Sequence, residues 1–296
     1  MSTQLLLQSA TFGILVGGLY GLAALGLALA FGVLKVLNIA HGELIMIGGY
    51  ASFYAATQLG LDPFLSLPLV FVVLVAIGFI LHLVVFRYVV RFDTEHRIKN
   101  SLLIAFGLVL ILQATAVRLF TADERATNVS YGSDGFSIGT IRIPYVRLGG
   151  LLVAIAAVLL LEWWLRRTTF GRAIRATSED WSLATLTGID VRKVYLVAFG
   201  IAAGLAGITG TMVTLSSSVS PSIGLNWTLK ALIVVVLAGL GSIRGTVIAG
   251  VLLGLVEGLA TATPWVGAPY REVVGLVVFL LVLSLRPQGL FGDASA

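Results

Sequence analysis

The sequence predicts an all-α fold, a polytopic transmembrane helix bundle of eight or nine spans. Three observations predict it. Of the 296 residues, 58% are hydrophobic and 11% are charged, where a soluble domain carries about one-quarter charged residues. A surface so poor in charge would aggregate in water, so lipid is the solvent that suits it. The apolar residues fall in runs of about 20, the length of helix that crosses the hydrocarbon. The Lys and Arg residues lie in the short connectors between those runs. This is the membrane pattern, and it excludes a nucleic-acid-binding face despite the net charge of +5.

Taken in order, residues 1–34 hold no charged position, Lys35 being the first. They have no basic start and are too long for a secretory signal, so they read as a retained first span over 10–34. Further runs lie near 64–86, 101–119, 147–165, 193–215 and 270–286. Two regions, 38–60 and 228–263, are apolar but interrupted by glycine and polar residues. Each can cross once, cross twice or re-enter, and the span count turns on them. Arg87, Arg91, Arg97 and Lys99 mark one loop; Arg166, Arg167, Arg172, Arg175, Arg192 and Lys193 mark another. Two spans separate these loops, so they share a side, and the density of basic residues assigns it to the cytoplasm. Residues 120–146, with Asp123, Glu124 and Asp134 beside Arg125 and Arg142, then face outward. The last span ends inside at Arg286-Pro287, and nine spans would place the N-terminus outside. The chain reads as one transmembrane domain, 1–296, with a cytoplasmic loop at 168–192 within it. It has no cysteine, so neither a disulfide nor a thiolate metal site is available.

The halves are weakly alike. Residues 38–49 and 239–250 each put a short polar, glycine-containing break before an apolar helix. Paired interruptions of this kind point to a transport pathway, because broken helices free backbone groups that only a solute or a water-lined cavity satisfies at membrane depth. Asn38, His41, Gly42 and Glu43 form the first break, Gly239 and Gly241 the second, and these are the candidate path residues together with Glu257, an acid inside an apolar helix. A charge at mid-bilayer costs about 2.5–3.5 kcal/mol on insertion scales, which calls for pairing, neutralisation or a cavity. Two readings stay open for the first break: it borders the path, or it is a cytoplasmic-end turn whose polar groups cap the next helix. Two stay open for Glu257, a group facing the bundle interior or one satisfied at an interface. One His and one Glu are too few ligands for a metal, and His82, alone among apolar residues, reads as structural. Gly250, Gly254 and Gly258 repeat every four positions along one helical face, the spacing that lets helices pack closely in lipid.

The loop at 168–193 differs in kind. Gly171 precedes a stretch of helical length, 172–187, and Gly188 ends it as a C-terminal glycine would. Arg172, Arg175, Glu179 and Asp180 give it a charged side, and Ala173, Ala176, Leu183, Ala184 and Leu186 a small apolar one. An ordered amphipathic helix here suggests a docking surface for a partner; the other reading is a helix lying on lipid. The sequence holds no Gly-x-x-x-x-Gly-Lys-Ser/Thr phosphate loop and no nucleophile–base–acid set, so any ATP hydrolysis belongs to another chain.

Phe31-Gly-Val-Leu-Lys-Val-Leu-Asn-Ile-Ala-His-Gly-Glu-Leu-Ile-Met-Ile-Gly-Gly-Tyr50 resembles the N-terminal signature of LivH-type permeases, subunits of ATP-binding-cassette importers for branched-chain amino acids and related solutes. Gly171-Arg-Ala-Ile-Arg-Ala-Thr-Ser-Glu-Asp180 with Gly188-Ile189 resembles that family's coupling loop, departing from it at Thr177-Ser178-Glu179. Val235-Val-Leu-Ala-Gly-Leu-Gly-Ser-Ile-Arg-Gly-Thr246 and Arg286-Pro-Gln-Gly-Leu-Phe291 are similar to it too, so the resemblance runs from residue 12 to 291. It implies a non-catalytic permease in the bacterial cytoplasmic membrane. The implied partners are a LivM-like second permease, two ATPase subunits that bind the ATP and Mg this chain does not, and a periplasmic solute-binding protein. Residues 171–188 would carry the contact to an ATPase. Relatives also serve urea, amides and aromatic acids. An autonomous ion-coupled transporter would need deep carboxylates, for which Glu43 and Glu257 are the candidates. An intramembrane enzyme would need His41 and Glu43 brought together, although two positions apart they lie on different sides of a helix.

Overall fold

The computed structural model describes residues 3–91, 94–263 and 267–292. Twelve α-helices occur among them: α1 Thr3–Leu34, α2 His41–Leu59, α3 Pro63–Leu81, α4 Arg87–Val89, α5 Thr94–Phe120, α6 Tyr145–Arg167, α7 Thr169–Glu179, α8 Trp181–Leu186, α9 Val191–Ser216, α10 Ile223–Ala238, α11 Ile243–Ala262 and α12 Arg271–Leu285. A π-helical turn at His82–Phe86 joins α3 to α4. The buried His82 opens that turn with its ring 5.8 Å from the ring of Phe199.

The all-α expectation has one exception. Residues 120–146 hold a small antiparallel hairpin, β1 Gly135–Ile138 with β2 Ile141–Pro144, in which Ile138 pairs with Ile141. Gly139 takes the positive φ (61°) that so tight a turn requires.

Six helical stretches are long and apolar enough to cross a membrane: α1, α3 continued through α4, α5, α6, α9 and α11. The chain is thus an all-α membrane bundle, but this criterion gives six spans among the described residues rather than eight or nine. Of the three other long helices, α10 and α12 are too short and α2, with His41, Glu43 and Gln58, is not apolar enough. α2 has 19 residues, α10 has 16 and α12 has 15.

Burial sorts the bundle into a centre and a periphery. α1 is apolar on every side, as a helix surrounded by protein must be, and 89% of its most apolar stretch is buried; the figure for α5 is 22%. α9 is enclosed like α1, whereas α3, α5 and α6 present Leu65, Val72, Ile80, Leu103, Phe106, Leu110, Leu159 and Leu160 outward. In water such faces would be a fault; in lipid they are the expected surface.

Helices come together in the centre because glycine lets their backbones touch. A methyl group on Gly250 would lie 2.6 Å from Gly21 Cα, one on Gly254 2.5 Å from Gly17 Cα, and one on Gly258 2.8 Å from Gly13 Cα. Gly250, Gly254 and Gly258 therefore form one face of α11 laid on the glycines of α1. Lipid offers no hydrophobic drive between helices, so close van der Waals packing supplies the association. Replacing Gly254 by Leu should lower folded, monodisperse yield in mild detergent by well over half, since overpacking costs about 1–3 kcal/mol even in forgiving cores. Gly107→Ala, where a methyl group would meet nothing within 4 Å, should leave size-exclusion profile and melting temperature unchanged or slightly improved.

Candidate translocation site and coupling loop

Between α1 and α2 the chain leaves helical geometry. Lys35 takes a positive φ of 53°, and no regular structure resumes until His41. The freed polar groups find partners inside the protein. Arg97, almost wholly buried, donates to the Leu34 carbonyl at 3.1 Å, to the Val90 carbonyl at 2.8 Å and to the Tyr195 hydroxyl at 3.2 Å. It places a positive charge on the C-terminal end of α1, where the helix dipole favours one. Leu37 N–H donates to Ser101 Oγ, and Ala40 N–H to Asn38 Oδ1. The Thr228 hydroxyl of α10 donates to the Ile39 carbonyl at 2.7 Å and accepts from Gly42 N–H at 2.8 Å.

Asn38 closes a local turn onto Ala40 N–H but does not cap α2, whose N-cap residue Ala40 has no side-chain cap bond, and the turn is not at the end of the bundle. His41 Nε2–H donates to the carbonyl of Ala23, well inside α1, and a methyl group on Gly26 would touch both the His41 ring and the Ala202 carbonyl of α9. α2 therefore begins deep among its neighbours. α10 begins there too: Gly42 and Gly224 lie backbone to backbone, and the Glu43 carboxylate sits against Gly224. The first turns of two helices converge on one point, each carrying the positive end of a helix dipole. Glu43 is 1% exposed, and its Oε2 has no hydrogen-bond partner among the described residues.

The other candidate path residues are elsewhere. Gly239 and Gly241, with φ of 95° and 94°, form the tight turn between α10 and α11. The sequence pairing of 38–49 with 239–250 does not hold in three dimensions. The counterpart of the break before α2 is the non-helical stretch 217–222 before α10, while 239–242 is a hairpin turn at the end of the bundle that carries α7 and α8. The C-terminal segment closes over that turn, Leu290 and Phe291 N–H donating to the carbonyls of Leu237 and Ala238 at 2.8 and 3.0 Å. Gly241 also lines a cavity of about 350 Å³ with Glu162, Arg166, Arg175, Ser178 and Arg244. Glu162 holds Arg166 and Arg244 there as ion pairs.

Glu257 faces the bundle interior, which closes the choice left by the sequence. It is 3% exposed, accepts from the Tyr20 hydroxyl at 2.9 Å and forms an ion pair with Lys230 of α10. Sequence reasoning missed Lys230. The signal was there, a single lysine within the otherwise apolar run 223–238, since an intramembrane cation implies a nearby acid. It missed Arg97 as well, counting it only as a loop charge. Among the described residues no group of three or more His, Cys, Asp or Glu could hold a metal ion.

The loop after α6 folds as two helices rather than the one expected over 172–187. Asp180 is extended, and its Oδ1 accepts from Ser182 and Leu183 N–H at 2.7 and 3.0 Å. An aspartate that caps a new helix ends the old one. Gly171 is buried: a methyl group there would collide with Leu165 at the end of α6, so this glycine seats α7 instead of meeting a partner. Arg172, Arg175, Glu179 and Asp180 are exposed, Ala176 is half-buried, and Gly188 with φ 86° ends the unit. Trp181, Leu183 and Leu186 of α8 are 45%, 60% and 82% exposed. This apolar patch projects beyond the bundle. Asp190 then caps α9, hydrogen bonds from Lys193 holding its carboxyl below the usual carboxylate range. The buried Arg97 lies beneath, 5.8 Å from the Trp181 ring.

A bundle of apolar helices with two helices that begin inside it, polar groups at their junction and an exposed amphipathic loop at one end defines a polytopic transport protein. The family model for the permease component of branched-chain amino acid transport systems matches residues 9–283, and the chain belongs to that family. It is 30% identical to the high-affinity branched-chain amino acid transport permease BraD of Pseudomonas aeruginosa, over 97% of this chain and 95% of the relative. It is 30% identical to LivH of Escherichia coli, over 99% and 98%. The LivM permease of the same organism is 28% identical over 92% of this chain and 67% of its own length. No solved structure matches the chain.

The Thr228 hydroxyl serves both strands of the α2 break, so Thr228→Val, equal in shape, removes two hydrogen bonds and leaves Gly42 N–H unmet. Thermal unfolding in detergent should show a loss of about 1–3 kcal/mol. Thr115→Val, at an exposed hydroxyl bonded within its own helix, should show less than a third of that.

Proposed function

We propose that this chain is a permease subunit of an ATP-binding-cassette importer that carries branched-chain amino acids, or amino acids like them, into the cytoplasm. The end-to-end match to permease components over residues 9–283 carries this reading, and the architecture supports it. The six long spans are completed by three partial ones: α2 with the extended residues 35–40, α10 with 217–222, and α12. Nine passages put the N-terminus outside and α7–α8 in the cytoplasm, in accord with the basic residues of both loops there. Helices that begin at mid-depth are the arrangement by which transporters place backbone dipoles along a path.

A second permease of the LivM kind would complete the path, because relatives of both kinds share this fold family. Two ATPase subunits would supply ATP and Mg binding, and a periplasmic protein would deliver the solute. The membrane is then the bacterial inner membrane. The ATPase docks on α7–α8, whose Trp181, Leu183 and Leu186 offer the buried anchor that protein interfaces favour. Arg97 and Gly171 would pass its movement to α1 and α6.

The test is co-purification from native membranes in mild detergent. Leu183→Glu with Leu186→Glu should lose the ATPase subunits at least tenfold while the chain stays monodisperse and keeps its second permease. Retention of the ATPases would place the docking surface elsewhere. If the wild-type chain brings down no ATPase under any condition, the importer reading fails and an ion-coupled transporter takes its place.

A further inference from the structure

The outer half of the bundle holds a charged crevice that the break at α2 does not use. Between α1, α6, α11 and α12 lies a cavity of about 170 Å³, lined by Phe12, Val16, Tyr20, Arg147, Glu257 and Arg271. A wider cavity of about 360 Å³ shares Phe12 and Arg147 with it and reaches Ser133 and Arg142 of the outward loop. Together they lead from the outer face toward Glu257.

The charges at this crevice do not balance. Arg147, Arg271 and Lys230 are cations; Glu257 and Glu272 are anions. Glu257 is already engaged by Lys230 and Tyr20, and Glu272 stands 3.7 Å from Lys230. Among the described residues neither Arg147 nor Arg271 has an acidic partner. Arg147 instead packs its guanidinium 4.6 Å from the centre of the Phe12 ring, which fixes its position and leaves its N–H groups for a ligand. One positive charge in excess around the smaller cavity, beside the apolar Phe12 and Val16, suits a carboxylate group next to an apolar tail.

We propose that this crevice binds the carboxylate of the transported solute on its way in, Arg147 and Arg271 donating to the two oxygens and Phe12 and Val16 receiving the aliphatic side chain. Charge-assisted bonds from guanidinium to carboxylate are about twice as strong as neutral ones. The Lys230–Glu257–Tyr20 group forms the floor and keeps Lys230 from competing for the carboxylate. The inference rests on the amino acid importer reading for the solute it names.

The experiment is saturation-transfer NMR on the full chain in phosphatidylcholine nanodiscs, with L-leucine, L-leucinamide and 4-methylpentanoate as probes. Leucine and 4-methylpentanoate should bind and leucinamide should not. Arg147→Ala and Arg271→Ala should each weaken leucine binding about tenfold or more, Arg147→Lys should keep part of it, and Lys193→Ala, at the opposite end of the bundle, should keep all of it. Size-exclusion profiles show which variants fold. Leucinamide binding as well as leucine, or folded alanine variants that bind like wild type, would overturn the proposal. So would displacement of leucine by added phosphatidylglycerol with no effect of the arginine variants on the amino acid, which assigns the arginines to a lipid phosphate. Uptake separates this inference from the one beneath it. Leucine uptake undiminished in the Arg147→Ala, Arg271→Ala double variant sinks the site and leaves the importer standing; arginine-dependent leucine binding by a chain that supports no uptake keeps the site and sinks the importer.

Discussion

At the start of α2 the backbone turns out of helical geometry far from either end of the bundle, and the amide and carbonyl groups it frees must be met there. Hydrocarbon offers nothing to bond to, and each unmet group costs several kcal/mol. The fold answers from several elements at once. α10 sends the Thr228 hydroxyl to two of the groups, α5 sends Ser101, the carbonyl of Ala23 in α1 receives His41, and Arg97 closes the end of α1. The break before α2 thereby ties the positions of three helices, α1, α5 and α10. It also explains why a chain of this composition keeps so many polar residues in its centre.

Those elements can reach the break only because their backbones approach closely. Glycines on α1 and α11 interlock along their length, and Gly42 meets Gly224 where α2 and α10 converge. A side chain at any of these positions would hold the helices apart and pull the hydrogen-bond partners out of reach. Packing and polar satisfaction are thus one constraint seen from two sides. The exposed leucines of α3, α5 and α6 belong to a different problem, that of facing lipid, and tolerate looser geometry.

The two ends of the bundle differ in how they treat charge. At the α7–α8 end, charges stand at the rim in short-range pairs, Glu162 with Arg166 and Arg244, and Lys193 with Asp190, where solvent screens them and they contribute little to stability. In the opposite half, Lys230 and Glu257 lie inside, where removing one partner would strand the other.

Much of this was legible in the chain itself. Run length and the scarcity of charge determined a helical membrane protein. The four-residue glycine spacing of 250–258 announced a tightly packed face, and the amphipathic pattern after Gly171 marked the exposed helical loop. Each is a local property, readable from neighbours along one helix. What the sequence left open was depth and pairing, which depend on residues far apart in the chain. Asn38 to Glu43 read equally well as a surface cap or an internal break, and contacts with Ala23 and Gly224 decided for the interior. Gly239 looked like the counterpart of Asn38, and only the position of α10 showed it to be a turn at the end. Lys230 and Glu257, 27 positions apart, became one group through the packing of α10 beside α11. Asp180 divided the coupling helix because its side chain competed for amides that a continuous helix would have used. Periodicity reports which face of a helix is apolar; it carries no record of which other helix that face will meet, and tertiary packing alone supplied that.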